Sequence, residues 1–408
     1  MSRLRKNDQR PTKMKLGNPS ILFSIRNPFT GRPTPSSKLD HIGKHFLSSR
    51  NFEEQYISNR MSLSSDKEKY PYNLIDVDCN LLHDDLTSFA SSSTVDHLSH
   101  FKILSHPSTA YSNIQAVFSP SSTIEEAERF HSILHQTSPD ACNNIEVKMS
   151  VGVHPYHTGL KDIGELLDVR SEVSERIRTL LSKDKDYKLI SCIGEMGLDY
   201  SEGFPERVHQ LPWFRYQLSL AKEYNLPMFI HERLAFEDTT RLIDEIFPEG
   251  INESSDIIIH CFTGQRDECR EYISRGYFIS VSGYILKSGE GPEEVCSCLR
   301  DGIIPLERLM IETDAPYMGF STCRDSYFDI EKQISEEFQA LKAKKKKSLI
   351  KSTYPNVPSA LPKVFEHVLK CLNEGRLERG EIELSKEDAA QIIYKNSVKF
   401  FGFENKII

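Results

Sequence analysis

Short apolar runs in this 408-residue chain repeatedly close on a residue able to hold a metal ion or move a proton. The run 73–78 ends in Asp78, 188–195 in Glu195, 227–231 in His231, 256–260 in His260 and 309–314 in Asp314. Any one of these alone is an ordinary turn residue; five carboxylates and imidazoles at five run ends make a pattern. Carboxylate oxygens together with neutral imidazole nitrogens suit Zn²⁺, Mn²⁺ or Mg²⁺. Two such ions can share a bridging carboxylate, and Glu195 is placed for that role. A metal pair activates water at neutral pH and stabilises charge on attacking and leaving oxygens, which serves phosphodiester and amide hydrolysis alike. Cys79, Cys192 and Cys261 lie nearby, each an odd number of positions from its ligand candidate. Strict strand alternation would aim them at the opposite face.

The runs must be positioned by a scaffold that brings their ends together. With 114–118, 146–152 and 277–282 they make eight candidate strands rich in Ile, Val and Phe, as parallel strands buried on both faces require. Amphipathic stretches separate them, including 124–136 after a Ser-Ser-Thr cap cluster and 206–225 before a proline-punctuated strand. Eight strand–helix units fit a closed (β/α)₈ TIM barrel best, with an open doubly wound sheet as the second choice. In the barrel the carboxyl ends of the strands converge on one face, where substrates bind.

The remaining segments frame that barrel. Residues 1–50 hold eleven Lys/Arg against two Asp/Glu, with many Ser and Pro and no sustained periodicity. Residues 1–70 are therefore expected to be a disordered tail or an organelle-targeting segment, with Met61 as an alternative start. Residues 71–408 are expected to form the catalytic barrel, with a charged insertion at 321–352 whose Lys344–Lys347 run forms a solvated or mobile face. Two helices, 359–373 and 385–400, should close the outside. A net charge of −8 argues against a surface that is basic all over but leaves room for a local basic cleft. The nine cysteines show no framework and read as reduced thiols. No apolar run approaches the roughly 18 residues of a membrane span.

At these residues the chain resembles the TatD family of metal-dependent deoxyribonucleases, within the amidohydrolase-like barrels, from about Tyr72 to Phe401. The matching motifs are Val151-Gly-Val-His154-Pro, Ile193-Gly-Glu195-Met-Gly-Leu-Asp199-Tyr, Pro227-Met-Phe-Ile-His231-Glu-Arg233, His260-Cys-Phe-Thr-Gly264 and Ile311-Glu-Thr-Asp314-Ala-Pro316. The resemblance implies that Glu195 bridges two metal positions, with His231 and His260 at one and Asp314 at the other. It places His154 and Arg233 on the scissile phosphate, where a guanidinium matches phosphate geometry, and Asn356 on the substrate. Two departures stand out. Where the family often opens strand one with His-x-His, this chain has Asp76-Val-Asp78-Cys-Asn80, so Asp78 and Asn80 replace imidazole ligands. Where the family commonly carries Asn-Glu-Pro, this chain has Asn356-Val357-Pro358.

The implied activity is a 3′–5′ exodeoxyribonuclease using two divalent ions, Mg²⁺ or Mn²⁺ with Zn²⁺ as the alternative. Its expected partner is DNA, single-stranded or at ends, with no membrane and a monomeric state. The competing readings are an ester or amide hydrolase such as a D-aminoacyl-tRNA deacylase, and a nucleic-acid-binding protein with weakened catalysis. The expected compartment is cytoplasm or nucleus, or mitochondrion or another organelle if the basic tail directs import.

Overall fold

The eight apolar runs become β1 (Leu74–Asp76), β2 (Ile114–Ser119), β3 (Glu146–Val151), β4 (Ile190–Asp199), β5 (Met228–Arg233), β6 (Ile257–Ile259), β7 (Phe278–Val281) and β8 (Leu309–Ile311). Their order in the sheet is their order in the chain, and neighbouring pairs are parallel. Sequential parallel strands need a crossover each, and right-handed helical crossovers roll such a sheet into a barrel. The seam between β8 and β1 is closed by Val77 N donating to Ile311 O at 3.3 Å, Asp314 N to Asp78 O at 2.8 Å and Asn80 N to Ala315 O at 2.8 Å. The doubly wound alternative is excluded by this closure.

The computed structural model describes residues 70–90, 98–159, 172–186, 188–251 and 256–404. All of them belong to one compact unit, Ile57–Ile408. The tail expected over 1–70, with Met61, lies outside the described residues except for Tyr70.

The crossovers are α1 (Asp84–Ala90) with two single-turn helices after it, α2 (Ile124–Gln136), α3 (Glu172–Lys183), α4 (Arg207–Tyr224), α5 (Phe236–Ile246), α6 (Arg266–Ser274) and α7 (Glu290–Arg300). The expected cap of α2 is present: Thr123 accepts from Glu126 N at 3.2 Å. After β8 the 321–352 insertion is helical. It carries α8 (Asp325–Ile334), α9 (Glu336–Ala340) and α10 (Ala343–Lys351). Tyr327, Phe328, Ile330 and Phe338 are buried there, and the Arg324 guanidinium lies 5.0 Å from the Phe89 ring and 5.4 Å from Phe328 while bonding Leu349 O and Ser352 O. Only α10, with Lys344–Lys347, buries no residue, as a solvated lysine face requires. The chain finishes with α11 (Leu361–Glu378) and α12 (Lys386–Phe401). No helix among the described residues is long and apolar enough to cross a membrane.

Two apolar layers hold the barrel. The larger lies between strands and helices; the smaller fills the interior with Ile75, Val77, Phe118, Cys192, Phe229, Ile258, Phe278 and Met310. The end of α12 plugs this interior, with the Phe401 ring 4.4 Å from Phe118. The floor reaches up to the polar end: Phe229 stacks under His260 at 4.5 Å and 24°.

Candidate metal centre

The site is built where interior-facing positions leave the apolar layer at the carboxyl ends of the strands. On β5, Phe229 points inward to the core, so His231 and Arg233 follow on the same face, while Met228 and Ile230 pack outward. On β6 the interior Ile258 is followed by His260, and on β8 the interior Met310 by Glu312 and Asp314.

On β4 simple alternation would fail. Cys192 faces the interior, so the odd-numbered positions beyond it should face outward. The pairing with β5 jumps from Ile193↔Met228 to Met196↔Ile230, which inserts one residue into β4 at Gly194–Glu195. This bulge reverses the parity, so Met196 and Leu198 pack outward and Glu195 and Asp199 turn inward. Glycine is required beside it: a Cβ on Gly197 would collide with the His231 carbonyl oxygen. Cys192 therefore shares its face with Glu195, one layer lower, contrary to the expectation from spacing. Cys261 departs too, because β6 ends at Ile259 and Cys261 has φ 44°. Its thiol approaches Ser282 Oγ at 3.3 Å and interacts with Asp314.

Glu195 is the hub. Its Oε1 lies 2.9 Å from His260 Nε2, 3.2 Å from His231 Nδ1 and 3.2 Å from His154 Nε2. On the far side of His231, Nε2 meets Asp199 Oδ2 at 2.9 Å. On the far side of His260, Nδ1 is 3.1 Å from Asp78 Oδ2 and 3.8 Å from Glu312 Oε1, whose other oxygen accepts from Ser280 Oγ at 2.6 Å. Asn80 joins the two carboxylates of the seam, with Nδ2 3.3 Å from Asp78 Oδ1 and 3.4 Å from Asp314 Oδ1. Ligand atoms come close enough for an ion in two sets that share Glu195: Asp78, Glu195 and His260, and His154, Glu195 and His231.

Burial raises Asp78 well above the usual carboxylate range, and the Asp314 charge adds to it; burial and Glu312 push Asp314 up to about 7. For Glu195 burial is outweighed by the charges of His154 and His260, which hold it well below its ordinary value. Burial is likewise outweighed at His231, where hydrogen bonds to Asp199 and Glu195 bring it to about 9. Buried acids that repel one another, balanced only by protons on imidazoles, are what a divalent cation would neutralise. Asp78 Oδ2 and His260 Nδ1 are close but poorly directed, and neither has a hydrogen-bond partner. Buried polar atoms are rarely left so; two ligand atoms facing one space fit a shared ion, and the residues present fit a hard or borderline metal.

The sequence-derived candidates Glu195, His231, His260, His154, Asp78, Asn80 and Asp314 thus converge. Arg233 lies on the same inward face, and its charge acts on Tyr284 and Lys287. It makes no ion pair with a carboxylate among the described residues. Asn356 is not brought to the open side. It is fully buried, with Nδ2 donating to Thr313 O and N to Pro316 O, both at 2.8 Å, so it braces the loop behind Asp314 and has no surface for substrate. Val357 is packed in the large apolar layer. Sequence reasoning missed Asp199 and Glu312 as partners of the two histidines. Asp199 had a signal, four positions after Glu195 on the same strand. Lys287, whose ammonium feels both Asp314 and Arg233, sits in a loop with no periodicity to mark it.

Comparison with known proteins places the fold in a family. The family described as TatD related DNase matches residues 97–402, more than half of the chain. The 3′-5′ ssDNA/RNA exonuclease TatD of Erwinia tasmaniensis is 32% identical over 187 residues, 45% of this chain and 62% of that protein. An uncharacterized metal-dependent hydrolase of Bacillus subtilis is 34% identical over 170 residues, 41% of this chain and 58% of its own length. The matched stretches thus span less than two thirds of these relatives. Among solved structures, a hydrolase TatD family protein from Entamoeba histolytica has TM-score 0.59 at 22% identity, covering 81% of this chain and 98% of that one. An uncharacterized amidohydrolase from Saccharomyces cerevisiae has TM-score 0.59 at 19% identity, covering 81% of this chain and 100% of its own. At these identities the structures speak for the fold alone, while the family match spans every strand from β2 to β8 and with them Glu195, His231, His260 and Asp314. The chain belongs to the TatD-related DNase family.

Proposed function

We propose that this protein is a divalent-metal-dependent nuclease that shortens DNA from its 3′ end. The observation that carries the reading is the convergence of three imidazoles on one oxygen of Glu195, with Arg233 on the same inward face and without a carboxylate partner among the described residues. The name of the Erwinia relative supports the polarity and the substrate class. Two ions would be held, one by Glu195 with His231 beside His154, the other by Glu195 with Asp78 and His260, next to Asp314 and Asn80. The oxygen-rich second set favours Mg²⁺ or Mn²⁺. Bound ions supply Lewis acidity that activates water and stabilises charge on the attacking and leaving oxygens.

The protein's own groups do the rest. Arg233 offers a planar fork to the scissile phosphate, and Lys287 adds a second positive charge beside it. Asp199 fixes the His231 ring by accepting from Nε2, which leaves Nδ1 directed at Glu195. His154, whose proton affinity burial lowers, offers its imidazole near the phosphate. The test is incubation of chelator-stripped protein with Mg²⁺ or Mn²⁺ and single-stranded DNA labelled at the 5′ end. Progressive shortening from the 3′ end is expected. Intact DNA together with release of amino acid from charged tRNA would replace this reading by ester hydrolysis.

A further inference from the structure

Away from the barrel mouth, α7 and α11 lie side by side, and their contact is unusually close at one point: a Cβ on Gly375 would collide with the Arg300 carbonyl oxygen. That approach brings three soft or borderline ligands together. Cys296 of α7 is buried, and so is Cys371 of α11; His367 stands one turn before Cys371 on the same helix face. Cys296 Sγ lies 3.7 Å from His367 Nε2, and the three ligand atoms lie within 4.8 Å of one another. With Zn–S about 2.3 Å and Zn–N about 2.0 Å, tetrahedral geometry separates sulfur and nitrogen by roughly 3.6 Å. The observed spacing is that of two ligands around a common ion. The three side chains line a cavity of about 290 Å³ that also meets Glu293, Arg300 and Glu374.

We propose that Cys296, His367 and Cys371 form a second metal site, a thiolate–imidazole centre selective for Zn²⁺, with its fourth position open to the cavity and filled by water or Glu374. Two sulfurs and a nitrogen select a borderline metal over Mg²⁺. The site ties α7 to α11. Cys296 also reaches Ile285 O at 3.6 Å, in the turn Gly283–Leu286 that follows β7 and leads to Lys287.

Cobalt(II) tests this in the reduced full-length chain, because a thiolate ligand produces a charge-transfer absorption that oxygen and nitrogen ligands do not. One equivalent of that absorption is expected in the wild type and in Glu195→Gln. Cys296→Ser and Cys371→Ser should each abolish it, His367→Ala should weaken cobalt binding by at least tenfold, and Cys261→Ser should leave it unchanged. Zn²⁺ should displace the cobalt and raise the melting temperature of Glu195→Gln, but not that of Cys371→Ser in the same background. Folding of each variant is checked by circular dichroism before metal is added. The proposal is overturned if the reduced wild type shows no charge-transfer band, if the band survives Cys371→Ser, or if the band is lost with Cys261→Ser. A Cys296–Cys371 disulfide in protein kept under reductant would also overturn it.

Discussion

The barrel mouth and the α7–α11 crevice both gather ligand atoms, but by different architecture and with different donor atoms. At the mouth, ligands come from strand ends, which a closed parallel barrel must bring together whatever its helices do. Oxygen dominates there, charges are buried, and Asp199 and Glu312 back the two histidines. In the crevice, ligands come from two helix faces, so their meeting depends on how two helices dock, and Gly375 sets that distance. Sulfur dominates there. The contrast separates a site of buried charges on strand ends from one of soft ligands between two helices.

The sharpest break in that contrast is Glu195→Gln. It preserves volume while removing the charge on which three imidazoles converge, so metal-dependent hydrolysis should fall to background. The thiolate-to-cobalt band of the crevice should remain. Near-wild-type hydrolysis by this variant would show that the mouth is not the reactive site.

Asp199→Asn should act one step further out. It leaves His231 in place but removes the carboxylate at 2.9 Å that sets its tautomer, and loss of such a partner costs about 10–100-fold in metal affinity or activity. Metal titration of the stripped variant reads this, and an unchanged binding curve would mean that His231 needs no support. Arg233→Ala should raise KM more than it lowers kcat if the guanidinium binds phosphate in ground and transition states alike. Steady-state kinetics on single-stranded DNA separates the two parameters.

The double change Asp78→His, Asn80→His should move the mouth towards the crevice in character. Two imidazoles in place of oxygen ligands should shift the preferred ion from Mg²⁺ or Mn²⁺ towards Zn²⁺. Activity of wild type and variant is compared across a series of each metal, and an unaltered wild type that works only with Zn²⁺ would refute the oxygen-ligand argument. The smallest effect is expected from Cys371→Ser, which should remove one equivalent of bound Zn²⁺ yet leave kcat unchanged. A large fall in kcat would mean that the crevice takes part in the chemistry.

Much of this molecule follows from local pattern. Runs of Ile, Val and Phe marked all eight strands, because strands buried on both faces must be apolar throughout. Polar residues at the run ends marked Glu195, His231, His260, Asp314 and Asp78, because an acid or imidazole closing an apolar strand needs a partner to remain buried. Helices such as α2 and α12 were legible from their caps and periodicity. The insertion was not: its charges concealed the spacing of Tyr327, Ile330 and Phe338, and a buried Arg324 has no pattern of its own. Asn356 was placed on substrate by its motif, whereas burial makes it a brace. Only the tertiary structure could decide the parity of β4, since a one-residue bulge at Gly194–Glu195 is recorded in the pairing with β5 and nowhere in the alternation of β4 itself. The same holds for Cys296, His367 and Cys371. Local sequence specifies which face of each helix they share, but the ion-sized gap between them exists only once α7 and α11 pack across an interface that neither helix encodes alone.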